Sequence, residues 1–123
     1  MKVSDMYRPE VYTCDVDDPL LKAARRMSKE GVGVLAVLDH GRLAGVVSER
    51  DVVAAVAAGA DVNVATAGDH ASRDVQACTA DDDSAELAHR MLAAGIRHMP
   101  VVRDGQLIGI VSMRELLAVE VWA

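Results

Sequence analysis

The sequence predicts a mixed α/β fold: two tandem βαββα repeats packed sheet to sheet with pseudo-two-fold symmetry. Three observations predict it. First, the chain matches itself without a gap at an offset of 64 positions, the spacing from Asp5 to Asp69. At that offset Val11 falls on Val75, Cys14 on Cys78, Asp17-Asp18 on Asp81-Asp82, Arg26-Met27 on Arg90-Met91 and Gly31 on Gly95. Val37, Gly41, Leu43, Gly45, Val47-Ser48 and Arg50 then meet Val101, Gly105, Leu107, Gly109, Val111-Ser112 and Arg114. Matches in register over nearly a whole repeat mark a tandem duplication. Second, each copy passes from a helical pattern into two β-type runs and back to a helical pattern. Third, a Gly-containing turn joins the two β-type runs of each copy.

A short strand, at about 11–16 in the first copy and about 75–79 in the second, opens each repeat and leads to an acidic turn. In DDPLLKAARRMSKEG, Asp18 is expected to cap a helix, Pro19 to take its first position and Gly31 to stop it. In DDDSAELAHRMLAAG, Asp83 and Glu86 have the spacing of a capping box and Gly95 is the stop. Leu21, Ala24 and Met27, like Leu87, Ala88 and Met91, mark an apolar helix face. Two strands follow in VLAVLDHGRLAGVVS and in MPVVRDGQLIGIVS; Asp104-Gly105 is a strong hairpin signal and His40-Gly41 a weaker one. Helical character resumes after Ser48 and Ser112. The small, polar stretch GADVNVATAGD reads as a linker, which divides the chain into repeat 1 at 1–60, a linker at 61–68 and repeat 2 at 69–123. A lone repeat of about 60 residues is marginal, so the two are expected to pack together.

Composition narrows the function classes. The chain has 123 residues, 51% of them hydrophobic, with no Phe, one Trp and two Tyr, so Ala, Val, Leu and Met must fill the interior. A formal net charge of −6 argues against a broad nucleic-acid or anionic-membrane surface, while leaving room for one local basic pocket. The N-terminal MKVSDMYRPEVY is not a signal peptide, and the longest apolar run, Val52 to Ala60, is far short of the roughly 20 residues that span a bilayer. Cys14 and Cys78 are too few for a disulfide framework and are copies of one position. These features give the expectation of a cytoplasmic protein with reduced thiols.

The phrase GVVSERD (Gly45 to Asp51) returns as GIVSMRE (Gly109 to Glu115), ending once in Asp and once in Glu. Ser with an acid three residues on is a capping box, which Glu suits better than Asp. A short carboxylate at a helix start is also placed to accept hydrogen bonds from ribose hydroxyls, and a Ser hydroxyl with helix N-terminal amides suits a phosphate. His40, His70, His89 and His98 are scattered, with no H-x-x-x-H or C-x-x-C pattern, so no metal site is expected. The cysteines lie in apolar-flanked strands as core filler, and there is no Walker A loop or G-x-S-x-G. No catalytic residue is assigned. Trp122 ends the last helix, over the core or at a dimer seam.

The tandem βαββα order, with VYTCDVDDPLLKAARRM, GIRHMPVV, GVVSERD and GIVSMRE, resembles the CBS domain, and two copies resemble a CBS pair, or Bateman module. The linker is similar to that of standalone bacterial CBS pairs of the hypoxic-response-protein type, which brings stress response with it as an expectation. The resemblance covers nearly the whole chain. It implies an adenosyl regulatory ligand (AMP, ADP, ATP or S-adenosylmethionine) in clefts between the copies, no other cofactor, and pairing into a homodimer through helices. It also implies roles for particular residues. Asp51 would take the ribose with Ser48 beside it, Val75, Gln76 and Ala77 would flank the base, and Arg97 and His98 would lie near the phosphates. The mirrored cleft would use Thr13, Gly33, Ser112 and Glu115; Gly33 and Val34 bring no charge there, and the longer Glu115 intrudes on a ribose-sized space. The expectation is therefore a regulatory ligand sensor and not an enzyme, signalling through helix faces or dimer contacts to a protein target. The alternative is a structural or interaction protein whose clefts are vestigial and which binds a protein partner without nucleotide.

Overall fold

The computed structural model describes residues 1–73 and 76–122, with side chains to Glu120. Val75 and the side chain of Trp122 lie outside the described residues. The chain divides into two compact units that do not follow its order: Tyr12–Val75 form the first, and Met1–Val11 with Gln76–Ala123 form the second.

The first unit contains β1 (Thr13–Asp15), α1 (Leu20–Glu30), β2 (Val34–Asp39), β3 (Arg42–Ser48), α2 (Glu49–Ala57) and the short α3 (Ala67–His70). Its sheet runs β1-β2-β3, with β1 parallel and β3 antiparallel to β2. The second unit has a 3-10 turn at Val3–Asp5, then α4 (Ser84–Ala94), β4 (His98–Arg103), β5 (Gln106–Ser112) and α5 (Met113–Trp122). Here β4 and β5 pair antiparallel. The strand expected near 75–79 narrows to one parallel bridge between Cys78 and Val101. In the first unit the Ala36 amide donates to the Tyr12 carbonyl at 3.1 Å. Its counterpart in the second is Pro100, which has no N–H, so the ladder cannot extend there.

Helix ends show what local chemistry decides and what it does not. Gly31 and Gly95 stop α1 and α4 in the left-handed region, at φ 67° and 69°. Asp83 caps α4 as expected, accepting from the amides of Ala85 and Glu86. Asp18 does not cap α1: its carboxylate accepts from the Asp15 amide and from Lys22. The free amides of Leu20 and Leu21 donate instead to the carbonyls of Ala65 and Val62, at 2.7 and 2.9 Å. The buried stripe of α1 is Leu20, Ala23 and Met27, one position before the expected Leu21 and Ala24, because α1 lies against that same incoming chain. Both hairpins turn through two left-handed residues, His40-Gly41 and Asp104-Gly105, so the weaker signal makes the same turn as the stronger.

The residues ahead of each repeat pair with the last strand of the other repeat. Ser72 exchanges backbone bonds with Val46 in the first unit (3.1 and 2.9 Å), and Arg8 does the same with Ile110 in the second (3.0 and 2.9 Å). Likewise Ala65 supplies a carbonyl to Leu20, while Met1 supplies one to Ser84. The stretch 61–68, which reads as a linker in the sequence, thus ends in a helix start whose Ala67 and Gly68 are buried. Each unit has its own core. Cys14, Leu20, Ala23, Met27, Leu35, Val37, Val47, Ala55 and Ala67 fill the first. Val3, Cys78, Leu87, Ala88, Met91, Met99, Val101, Val111 and Leu116 fill the second. Among the described residues no helix is long and apolar enough to cross a membrane.

Candidate functional site

The repeated phrase becomes physically specific at β3–α2 and β5–α5. Its Gly is required by the exchanged chain: a Cβ on Gly45 would stand 2.6 Å from the Ser72 carbonyl oxygen, and one on Gly109 2.6 Å from that of Arg8. Its third residue, Val47 in one copy and Val111 in the other, is buried in the core of its unit. Its Ser begins the following helix, with a hydroxyl that accepts from the amide three residues on.

The acids differ in more than length. Asp51 and Ser48 form a complete capping box, in which Oδ2 of Asp51 accepts from both the Ser48 amide (2.7 Å) and the Ser48 hydroxyl (3.0 Å). Among the described residues Oδ1 of Asp51 has no hydrogen-bond partner, so one oxygen of this half-buried carboxylate is open. Glu115 uses both oxygens: Oε1 accepts from the Ser112 hydroxyl at 2.9 Å, and Oε2 faces Nε of Arg8 at 3.2 Å. The expectation that Glu makes the better box is thereby reversed, since the shorter Asp turns back onto its own cap while Glu115 faces Arg8 of the N-terminal segment.

The remaining residues distribute as follows. Arg97 and His98 are exposed at the start of β4; His98 pairs with Ser112 across the hairpin, and the Arg97 carbonyl accepts from the Met113 amide. They therefore share a unit with Glu115. The imidazole of His98 is held below the usual histidine range, first by its partial removal from water and then by Arg97, against an opposing pull from Glu115. The shift favours the uncharged imidazole more than in an ordinary histidine. Gln76 is exposed, and the Ala77 carbonyl accepts from Arg90. In the first unit, Gly33 accepts from the Glu49 amide, and a Cβ on it would lie 3.4 Å from the Glu49 carboxylate. Acidic charge thus lies where the matching place in the second unit carries Arg97. Thr13 lines an open cavity of about 360 Å³ with Cys14, Asp15, Asp18, Lys22 and Arg26.

Sequence reasoning missed Arg8 and Glu49. Arg8 lies far from Glu115 in sequence and carries no motif, and only the exchange of lead segments brings it there. Both thiols are buried, and burial first, then neighbouring aspartates, pushes each up to about 11, which keeps them protonated and unreactive at neutral pH. The described residues hold no group of three or more His, Cys, Asp or Glu able to hold a metal ion.

Comparison with known proteins adds the lineage. Hypoxic response protein 1 of Mycobacterium tuberculosis is 33% identical over 101 residues, which cover 80% of this chain and 71% of that protein. The crystal structure of Hypoxic Response Protein I with two coordinated zinc ions superposes with a TM-score of 0.84 and 30% identity, covering 94% of this chain and 96% of that one. A CBS domain protein from Pyrobaculum aerophilum complexed with AMP gives a TM-score of 0.87 and 25% identity, over 100% of both chains. The model of the CBS domain matches twice, at residues 3–58 and 67–121. Each match begins with the lead segment that the fold exchanges and ends in the helix after the repeated phrase, so the chain belongs to the CBS domain family as a tandem pair.

Proposed function

We propose that this CBS pair is a regulatory module that binds an adenosyl ligand, with Asp51 as the acceptor for its ribose. The observation that carries the reading is the open Oδ1 of Asp51 on a carboxylate already fixed by its own cap, which leaves an oriented acceptor at a helix start. The AMP complex of the Pyrobaculum aerophilum relative supports the ligand class. Ser48 stands beside Asp51, and Arg97 and His98 are the side chains proposed for a phosphate. AMP, ADP, ATP and S-adenosylmethionine all present the same cis-diol to Asp51 and differ at the 5′ end. The chemistry is recognition, with the bound state read out through helix faces or a homodimer contact.

Thermal unfolding against these four compounds tests the reading, in the wild type and in Asp51→Ala. At about 100 times the dissociation constant a ligand should add roughly 2.7 kcal/mol. Because Asp51→Ala also loses a cap, the comparison is the ligand-induced shift within each protein. A shift for one compound that disappears in the variant supports the reading, and a wild type indifferent to all four overturns it. A partner-binding role without nucleotide is favoured by one observation, the exposure of Val53 and Val56 on α2 at 66% and 57%. It becomes the working reading if no ligand shifts the wild type.

A further inference from the structure

We infer that Arg8 closes the second acid to ribose, and so limits the chain to one adenosyl site. The inference rests on the adenosyl reading above, but its evidence is separate. Arg8 and Ser72 occupy the same backbone place in their units, each bonded in both directions to the strand residue two before the Ser cap, Ile110 and Val46. The register of the exchanged chain is therefore equal in the two units, and the difference lies in the side chain. Arg8 carries a guanidinium to Oε2 of Glu115, whereas Ser72 is too short and uncharged to do the same for Asp51.

A carboxylate that receives a cis-diol must offer free acceptor sites toward it. Asp51 gathers both of its bonds on one oxygen, and among the described residues the other has none. Glu115 is held at one oxygen by the Ser112 hydroxyl, and its other oxygen faces the Arg8 guanidinium, whose charge a neutral ribose hydroxyl lacks. Glu115 is half-buried while Arg8 is exposed, so the pair lies with its acid inward and its base covering it. Length and pairing act together: the extra methylene of Glu115 is what brings its oxygen within reach of Arg8.

Calorimetric titration with AMP and with adenosine tests this on the full chain, comparing wild type, Arg8→Ala and the double variant Arg8→Ala/Glu115→Asp. The double variant restores an Asp of the Asp51 kind and removes the cation over it, and it should gain one further site per chain relative to wild type. Adenosine is included because it presents the same cis-diol without a phosphate. The increment decides the inference whatever the wild type binds. A wild type without any site counts against the adenosyl reading of Asp51, yet a site appearing in Arg8→Ala still supports the role of Arg8, whereas a site appearing only in the double variant assigns the closure to the length of Glu115 and overturns it. A folded double variant, checked by its unfolding transition, that gains no site for either compound overturns it. A wild type that already binds two ligands per chain also overturns it.

Discussion

Cys14 and Cys78 occupy one place in the duplicated repeat and meet the same fate: each is buried, and each is pushed up to about 11 from an ordinary 9.0. Desolvation is the largest cause, followed by the acids of the adjoining turn, Asp18 and Asp15 for the one and Asp82 for the other. The sign of the stability effect follows directly. A folded-state value above the unfolded one means that the folded chain keeps protons the unfolded chain has released, so the contribution is intact below about 9 and is lost as pH rises toward 11. At about 1.4 kcal/mol for each pKa unit, each thiol should cost the fold roughly 2–3 kcal/mol across that window. Urea unfolding of the wild type at pH 8 and at pH 10.5, against Cys14→Ala/Cys78→Ala, measures it. The double variant starts lower because of its cavities but should fall less with pH; equal slopes would mean that the thiols already ionise in the folded chain.

The repeated phrase is most constrained at its glycine, where the backbone of another segment passes. Gly45→Ala and Gly109→Ala each place a Cβ 2.6 Å from a carbonyl oxygen of the exchanged chain. Backbone cannot yield there as a side chain would, so each should lose at least the roughly 1–3 kcal/mol of an overpacked core. Gly33→Ala is the control, since its Cβ meets only the flexible Glu49 carboxylate, at 3.4 Å, and should cost well under about 1 kcal/mol. Similar denaturation midpoints for all three would remove the exchanged chain as the reason for the glycines. Helix stops, hairpin turns and the Ser caps were legible in the sequence because each is decided within a few residues: a left-handed glycine, two left-handed turn residues, a hydroxyl before an acid. The start of α1 was not legible, since its amides are satisfied by Val62 and Ala65 from far along the chain. That Asp51 stands at a helix start is legible in the sequence, but that one of its oxygens has no partner among the described residues, while both of Glu115 are engaged, depends on rotamers and on Arg8.

At the scale of the whole chain, the sequence repeat and the folding unit are different objects. The repeat boundary cuts at about residue 60, whereas the first unit runs from Tyr12 to Val75 and the second joins Met1–Val11 to Gln76–Ala123. A fragment of residues 1–60 therefore lacks Ala67 from its core, the Val62 and Ala65 carbonyls that receive the α1 amides, and the Ser72 backbone beside Val46. It carries instead Val3 and Tyr7, which belong against Met99, Val111 and their neighbours. A fragment of residues 12–75 keeps every one of the missing contacts. Domains near 60 residues sit at the edge of independent stability, so losing one strand-edge pairing and two helix-start bonds should separate folded from unfolded. Circular dichroism on heating is expected to give a weak but cooperative transition for 12–75 and none for 1–60. The matching pair for the second unit is 76–123 alone and 76–123 joined through a flexible linker to 1–11, with only the joined form cooperative. If 1–60 melts as sharply as 12–75, the exchanged segments contribute nothing to the unit they pair with, and the sequence repeat is the folding unit after all.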